Sequence, residues 1–406
     1  MASGHRADLS WKSPPEQNCL MPNGGEIASL EVSINSSSQN DRSCTFNVPH
    51  EIGCYSVRGE KREYINGPDN KRYLRSDILW KGNKWYQPDM NLKNSQEHAV
   101  RRDWTKSASL ENLLHWVCRN RDNVMPSSAD DTQRVHPDFI CSRDVLKMFV
   151  CTPFLAKDEW RVAARRIEGV VYLRNVLSCE ERERRHCAKD EKANWSSRFS
   201  ENMVTRQPSV LHENNNVVDE TQTYHAVLRG QLGTHKIIFD AEVMAIDDSP
   251  EIKKPGLNPY VEFRTCIDFH CFKNGEKYRR YKSLKWWAHA RLAGVSSLMC
   301  GSCSENGTVD YIEKLEVADI PKMTQQHWSE EKCMQICDKI LSFIKEHVQG
   351  DDSTYLFKLA WKKEEGQSPS RKIVCRLLGN PPAIQVLPDW YLKSFVTGKS
   401  HRQYPA

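Results

Sequence analysis

Lys236–Ile246, KIIFDAEVMAI, is the stretch whose reading decides the fold. Its alternation sends Ile237, Phe239, Ala241, Val243 and Ala245 to one face of a strand. Ile238, Asp240, Glu242, Met244 and Ile246 take the other face. The first face is uniformly apolar and is expected to meet a core. The second sets Asp240 and Glu242 two residues apart, about 7 Å along the strand. A second short strand, Tyr260–Arg264, places Tyr260, Glu262 and Arg264 on one side and Val261 and Phe263 on the other. The segment from Asp247 to Pro259 contains Asp-Asp-Ser-Pro and Pro-Gly, the composition of a hairpin-type connection. If the two strands pair, Glu242 and Glu262 share one polar patch.

Carboxylates on adjacent strands, with a basic residue two positions after one of them, suit metal-dependent phosphodiester chemistry. Carboxylate oxygens hold Mg²⁺ or Mn²⁺. The metals stabilise the attacking and leaving oxygens, while a Lys or Arg orients water or balances phosphate charge. Read alone, Glu-x-Arg on a strand is more often a solvated face or a surface ion pair, so the rest of the chain has to decide.

The chain has 406 residues, enough for one large domain or two ordinary ones. Hydrophobic residues make up 39% and charged residues 27%, which fits a globular protein with a polar surface. A formal net charge of +5, spread along the chain, permits nucleic-acid binding without arguing for it. The 15 cysteines follow no repeating frame, so a disulfide framework is not expected and a reducing compartment is. Met1 to Leu20 lacks an apolar signal region, and no apolar stretch is long enough to span a bilayer. A nuclear or cytosolic protein with no membrane partner is expected; Lys253-Lys254 is a weak basic cluster of the kind used in nuclear import.

Residues 1–45 are rich in Ser, Asn, Gly and Pro and are expected to be disordered. A single globular domain is expected over 46–396, with a short polar tail over 397–406. Leu110, Leu113, Leu114 and Val117 give one helical face; Cys333, Ile336, Cys337, Ile340, Leu341 and Ile344 give a longer one. Cys300-x-x-Cys303 reads as part of a Gly/Ser loop, and without a second pair at zinc spacing it is not expected to hold a metal.

The wording of several segments resembles the DXO family of decapping exoribonucleases, in collinear order over roughly residues 46–396. Pro49-His50-Glu51-Ile52-Gly53 comes first, and Ser142-Arg143-Asp144-Val145-Leu146-Lys147 looks like the first motif. Trp160–Val176 looks like the following strand. HAVLRGQLGTHKIIFDAEVMAID and PYVEFRT look like the two central acidic motifs. YKSLKWWAHARLAGV looks like a Lys/Trp-rich helix, and PDWYLKSFV like the C-terminal segment. The resemblance implies a mixed α/β (α+β) fold in which two mixed, twisted sheets form a central core with flanking helices. Members remove incomplete or non-canonical caps from RNA 5′ ends, and many then degrade the RNA 5′→3′.

The resemblance also implies a site of four acidic positions, a Lys and an Arg. The first-motif Arg is kept as Arg143, with Ser142 and Asp144 in place of its Trp and Gly neighbours. Ser200 stands where a metal-binding Glu follows an aromatic residue. Glu242 is kept, but Met244 replaces the metal-binding Asp. Glu262 is kept, and Arg264 replaces the Lys. His289 stands in place of a substrate-contacting Gln. A soft thioether does not serve a hard cation, and a guanidinium does not give up its proton at working pH. No resident cofactor is therefore expected, or Mg²⁺ or Mn²⁺ held weakly by Glu242 and Glu262 if chemistry survives. Two substitutes remain open: Glu201 through a one-residue bulge, and Asp240 through a site displaced along the strand.

Without chemistry, Arg143, Arg264, Lys282, Lys285 and His289 are the candidate RNA-binding residues, with Trp286-Trp287 as a stacking surface or, alternatively, helix core. RNA 5′ ends are the expected partner, and a nuclear 5′→3′ exoribonuclease is a second. The pattern of loss is similar to a degenerate family member of the insect germline piRNA pathway; likeness to it would imply shielding of piRNA precursors, with Rhino and Deadlock as partners. The competing readings are a non-catalytic binder of RNA 5′ ends, a divergent active decapping enzyme, and an interaction module with a closed channel.

Overall fold

The alternation of Lys236–Ile246 is carried into the structure with one break. A computed structural model describes residues 25–33 and 44–397, apart from 94–97, 105–108, 125–135, 156–157, 188–190, 209–216, 250–257, 352, 363–369 and 380–383. The strand runs His235–Val243, Met244 leaves the ladder, and Ala245–Ile246 begins again in a different sheet. The expected single strand is thus two strands in two sheets, with Met244 at the crossing. Ile237, Phe239, Ala241 and Val243 enter the main core, as their shared face predicts. Ile238 enters a second core on the opposite face, because this strand lies inside a sheet covered on both sides.

The larger sheet has ten strands in the order Glu26–Val32, Ser370–Leu377, Thr354–Lys362, Arg161–Ile167, Val170–Asn175, Phe139–Ser142, His235–Val243, Thr223–Leu232, His50–Arg58 and Glu63–Asn66. The smaller has seven: Lys84–Tyr86, Val309–Glu316, Val295–Cys303, Asn258–Ile267, Ala245–Ile246, Tyr73–Leu74 and Val204–Thr205. Both mix parallel and antiparallel pairs, so the expected architecture of two mixed sheets with flanking helices is observed. Ala245 and Ile246 pair antiparallel with Val261 and Tyr260; residues 250–257 of the connection expected to be hairpin-type lie outside the described residues.

Three helices fill the space between the sheets and contribute to the main core: Arg143–Cys151, Ser283–Ala293 and Glu330–His347. The last is built by its sequence. Ser329 caps it by accepting from the Lys332 N–H at 3.4 Å, Glu330 and Glu331 occupy the first turn, and Lys345 and His347 the last. The middle helix ends at Gly294, whose φ of 71° favours glycine. A Cβ there would meet the Asn258 amide at 2.7 Å. The Leu110–Val117 pattern also forms its helix, Glu111–Arg119.

Several expectations need correction. Residues 26–32 of the supposedly disordered N-terminus form an edge strand, antiparallel to Ser370–Leu377. Ile27 is exposed, while Val32 joins the main core and Ala28 and Leu30 pack against it, so packing and the ladder together hold the segment. Residues 1–24 and 34–43 lie outside the described residues, as do Lys253-Lys254 and all of the tail after Thr397. Trp160–Val176 is not one strand but two, Arg161–Ile167 and Val170–Asn175, turned by Glu168 and Gly169 at φ 47° and 81°. Cys300 and Cys303 lie within the strand Val295–Cys303, not a loop, and both are buried. Among the described residues twelve cysteines are free and Cys179 is disulfide-bonded. No helix of the described residues is long and apolar enough to cross a membrane.

The edge strand gives a direct test. Removing residues 1–33 bares the ladder groups of Ser370–Leu377, a template for unwanted pairing. The truncated chain is expected to melt earlier and to aggregate in light scattering. Equal melting and equal dispersity would show that the strand contributes nothing.

Candidate active site

Two ladders converge on one buried carboxylate. Ser142 pairs in parallel with Asp240, so the helix starting at Arg143 opens beside the end of the strand that carries Glu242. Arg143 is 5% exposed and points inward. Its Nη1 donates to Glu262 Oε1 at 2.9 Å, and its Nη2 to the Glu242 carbonyl at 3.0 Å. One guanidinium thus ties the large sheet to the small one. Glu262 is 1% exposed.

Arg264 takes the other side of the same carboxylate. Its Nη2 donates to Glu262 Oε2 at 2.6 Å, and its Nη1 to the Phe263 carbonyl at 2.7 Å. The same Nη1 lies 3.9 Å from the Met244 sulfur, which also accepts the Phe263 N–H at 3.3 Å. His289 Nδ1 stands 2.7 and 2.8 Å from the two Glu262 oxygens, which assigns the ring proton to Nδ1. Arg264 Nη2, 3.3 Å from that nitrogen, therefore packs against it. Burial and the neighbouring Arg143 push the His289 imidazole down to about 4, so it donates as a neutral ring. Burial opposes charge on Glu262, but His289, Arg264 and Arg143 override it and hold the carboxyl far below the usual range.

Glu242 is differently placed. Its backbone binds Arg143, while its partly exposed side chain accepts from Arg102 Nη1 at 3.0 Å. Burial works to raise this carboxyl, and Arg102, His225, Arg62 and Arg143 outweigh it and lower it. Glu242, Met244, Phe263, Arg264, Ser200 and Glu201 all line a cleft of about 260 Å³. Ser200 and Met244, the positions read as lost ligands, line the same cleft as Glu242, while Glu262 lies beneath it.

The donor set does not fit a divalent cation. Both oxygens of Glu262 receive protein donors, and the Phe263 carbonyl receives Arg264. Met244 offers sulfur, and the Ser200 hydroxyl donates to the Ser196 carbonyl at 2.9 Å. A guanidinium here holds oxygens of the kind a metal would use. Neither substitute is disposed to help. Glu201 is buried and ion-paired with Arg72. Asp240 accepts from Tyr55 Oη at 2.6 Å and meets His225 Nδ1 at 3.2 Å, while His225 Nε2 reaches Thr223 Oγ1 at 3.0 Å. Among the described residues no group of three or more His, Cys, Asp or Glu side chains is disposed to hold a metal.

The five residues read as RNA-binding are not one surface. Arg143 is a buried tie between sheets, and the half-buried His289 donates to Glu262; neither lines the small cleft or the larger one beside it. Arg264 lines the small cleft with its guanidinium already engaged. Lys285 lines a neighbouring, larger cleft and pairs with Asp158 at 2.7 Å. Lys282 is exposed on the turn Tyr278–Lys282, its ammonium lowered by partial burial and by Lys285. The tryptophans settle on the core alternative: Trp287 is fully buried, and Trp286 packs with Phe269, Phe272 and Tyr278. Sequence reading missed Arg102, Trp104 and Glu220. Glu220 accepts from Arg101 and Ser197 in the small cleft. The run Arg101-Arg102-Asp103-Trp104, basic and aromatic, was the available signal.

Two mixed sheets, a strand crossing between them and acidic residues at the crossing define a PD-(D/E)XK-type nuclease fold. The chain belongs to the family of RAI1 like PD-(D/E)XK nucleases, whose model matches residues 47–392. It is 25% identical to the decapping and exoribonuclease protein of Xenopus laevis over 402 residues, covering 96% of this chain and 97% of that protein. Protein cutoff of Drosophila melanogaster is also similar, 22% identical over 254 residues, covering 61% and 66% of the two chains. The fold resembles the crystal structure of Candida albicans Rai1 in complex with pU5-Mn2+, with a TM-score of 0.67, 15% identity, and 90% and 95% of the two chains covered.

Two outcomes follow from this geometry. Arg143→Ala leaves Glu262 buried with fewer partners and is expected to cost about 3–5 kcal/mol in urea unfolding; a loss below about 1 kcal/mol would mean the tie is dispensable. Adding 1 mM Mn²⁺, by contrast, is expected to leave the melting temperature unchanged, since an ion stabilises only a fold that binds it. A metal-dependent rise that disappears in Glu242→Ala would show that the donor set does accept an ion.

Proposed function

We propose that this protein binds RNA 5′ ends without hydrolysing them. The observation that carries the reading is the seat of Arg264: its guanidinium holds Glu262 and the Phe263 carbonyl, and Met244 lies against it. A cation that belongs to the protein therefore occupies the donors of a catalytic metal, and two-metal hydrolysis has no ligands to use. RNA binding rests on family membership and on the cleft beside the site. A divergent active enzyme would need Glu201 or Asp240, and each is engaged elsewhere.

Shielding of a 5′ end from decapping and degradation is the corresponding role, and similarity to protein cutoff favours it over turnover. A nuclear location, transposon-silencing RNA precursors as cargo, and a nuclear 5′→3′ exoribonuclease, Rhino and Deadlock as partners belong to this proposal. They rest on the resemblance and not on any surface of the described residues.

The test uses the full chain with 5′-monophosphate, 5′-triphosphate and unmethylated-capped RNA, in Mg²⁺ or Mn²⁺, measuring binding and cleavage together. Binding without cleavage is expected. Metal-dependent cleavage lost in both Glu242→Ala and Glu262→Ala would overturn the reading. Combining Ser200→Glu, Met244→Asp and Arg264→Lys is expected to create metal-dependent cleavage where the parent has none.

A further inference from the structure

The small cleft ends at an exposed tryptophan. Trp104 is 52% exposed, and it lines both the small cleft and a larger one of about 690 Å³ on its other side. Three interactions set its position. The Arg102 guanidinium lies over its ring at 4.5 Å, while the same Arg102 is anchored to Glu242. Arg185 donates to its carbonyl at 3.2 Å. Among the described residues, this half-exposed indole stands at the junction of the two clefts with the Arg102 guanidinium over its ring.

The larger cleft is lined by seven basic and six acidic side chains. Lys147, Lys285 and Arg185 line it and are paired with Asp144, Asp158 and Glu181. Arg184 and Lys358 also line it; Lys358 acts on the exposed Glu180 carboxylate of the same cleft, and neither base forms a close salt bridge among the described residues. Its floor is apolar, with Leu155 and Trp160 buried beneath.

We propose that Trp104 is a base-stacking platform for single-stranded RNA whose 5′ end lies in the small cleft, and that the following phosphates run along Arg184 and Lys358 in the larger cleft. This inference rests on the RNA-binding reading above and adds the path of the chain. A base stacks on the indole face that Arg102 leaves open, and the guanidinium behind the ring strengthens the platform. Stacking is indifferent to base identity, so the protein reads single-strandedness rather than sequence. A duplex end cannot present a free base to Trp104 and is bound less well.

The experiment measures affinity of the full chain for 5′-monophosphorylated oligonucleotides of increasing length, by fluorescence anisotropy. Trp104→Ala is expected to weaken octanucleotide binding about 10-fold or more, with Trp104→Phe retaining most of it. Dinucleotide binding is expected to change less, because a dinucleotide in the small cleft does not reach past the indole. Arg184→Gln with Lys358→Gln is expected to flatten the dependence of log affinity on log salt by about 0.7 for each phosphate no longer neutralised. Equal affinity of parent and Trp104→Ala for the octanucleotide would overturn the platform while leaving 5′-end binding intact. Equal losses for Ala and Phe, or for short and long RNA, would also overturn it. Failure of the parent to bind any RNA would remove the underlying reading and this inference together.

Discussion

The structure turns on one buried carboxylate. Glu262 receives Arg143 from the first turn of the helix Arg143–Cys151, Arg264 from its own strand and His289 from the helix Ser283–Ala293. A charge at this depth is tolerated only when it is paired and its lone pairs are filled. Two guanidiniums and a neutral imidazole do both. The same bonds hold the strand crossing at Met244 in register, because Arg143 binds the Glu242 carbonyl as well. Two sheets and two helices thus meet at one ionic knot, and removing Arg143, Arg264 or His289 leaves Glu262 buried with fewer partners.

That knot neutralises Glu262 with cations of the protein itself. An acidic cluster at the junction of two sheets repels itself unless a cation neutralises it. In this chain the cation is covalent. Ser200 and Met244 bring no negative charge to the cleft, and the permanently charged Arg264 bridges Glu262 and the Phe263 carbonyl. The arrangement is self-consistent: a guanidinium offers a planar fork to a carboxylate and a carbonyl at once, which an ammonium does not. Arg102 does for Glu242 at the cleft rim what Arg264 does for Glu262 beneath it.

Much of this was legible in the sequence. Strict alternation in Lys236–Val243 placed Ile237, Phe239 and Ala241 in the core and Glu242 at a site, because side chains of a strand alternate whatever the surroundings. Ser200 and Met244 were identified by collinear motifs and do face one cleft with Glu242. What was not legible depended on long-range pairing. The break at Met244 has no local signal, since Val243, Met244 and Ala245 are all compatible with a continuous strand. Glu26–Val32 lies beside a Ser/Asn-rich run and acquires order from a strand some 340 residues away. Arg143 was read as substrate-binding because a basic residue in a nuclease motif suggests phosphate, and His289 because it stands in place of a substrate-contacting Gln; their contacts with Glu262 are tertiary facts. Arg102 and Trp104 fell outside every motif, and only the fold brings them to Glu242.

The most direct test of the account is a crystal structure of the full chain grown with Mn²⁺, with anomalous data collected at the manganese edge. The account predicts no anomalous peak between Glu242 and Glu262, and the Arg264 guanidinium bonded to Glu262 and the Phe263 carbonyl. A manganese ion on those oxygens, with Arg264 swung away, would contradict it.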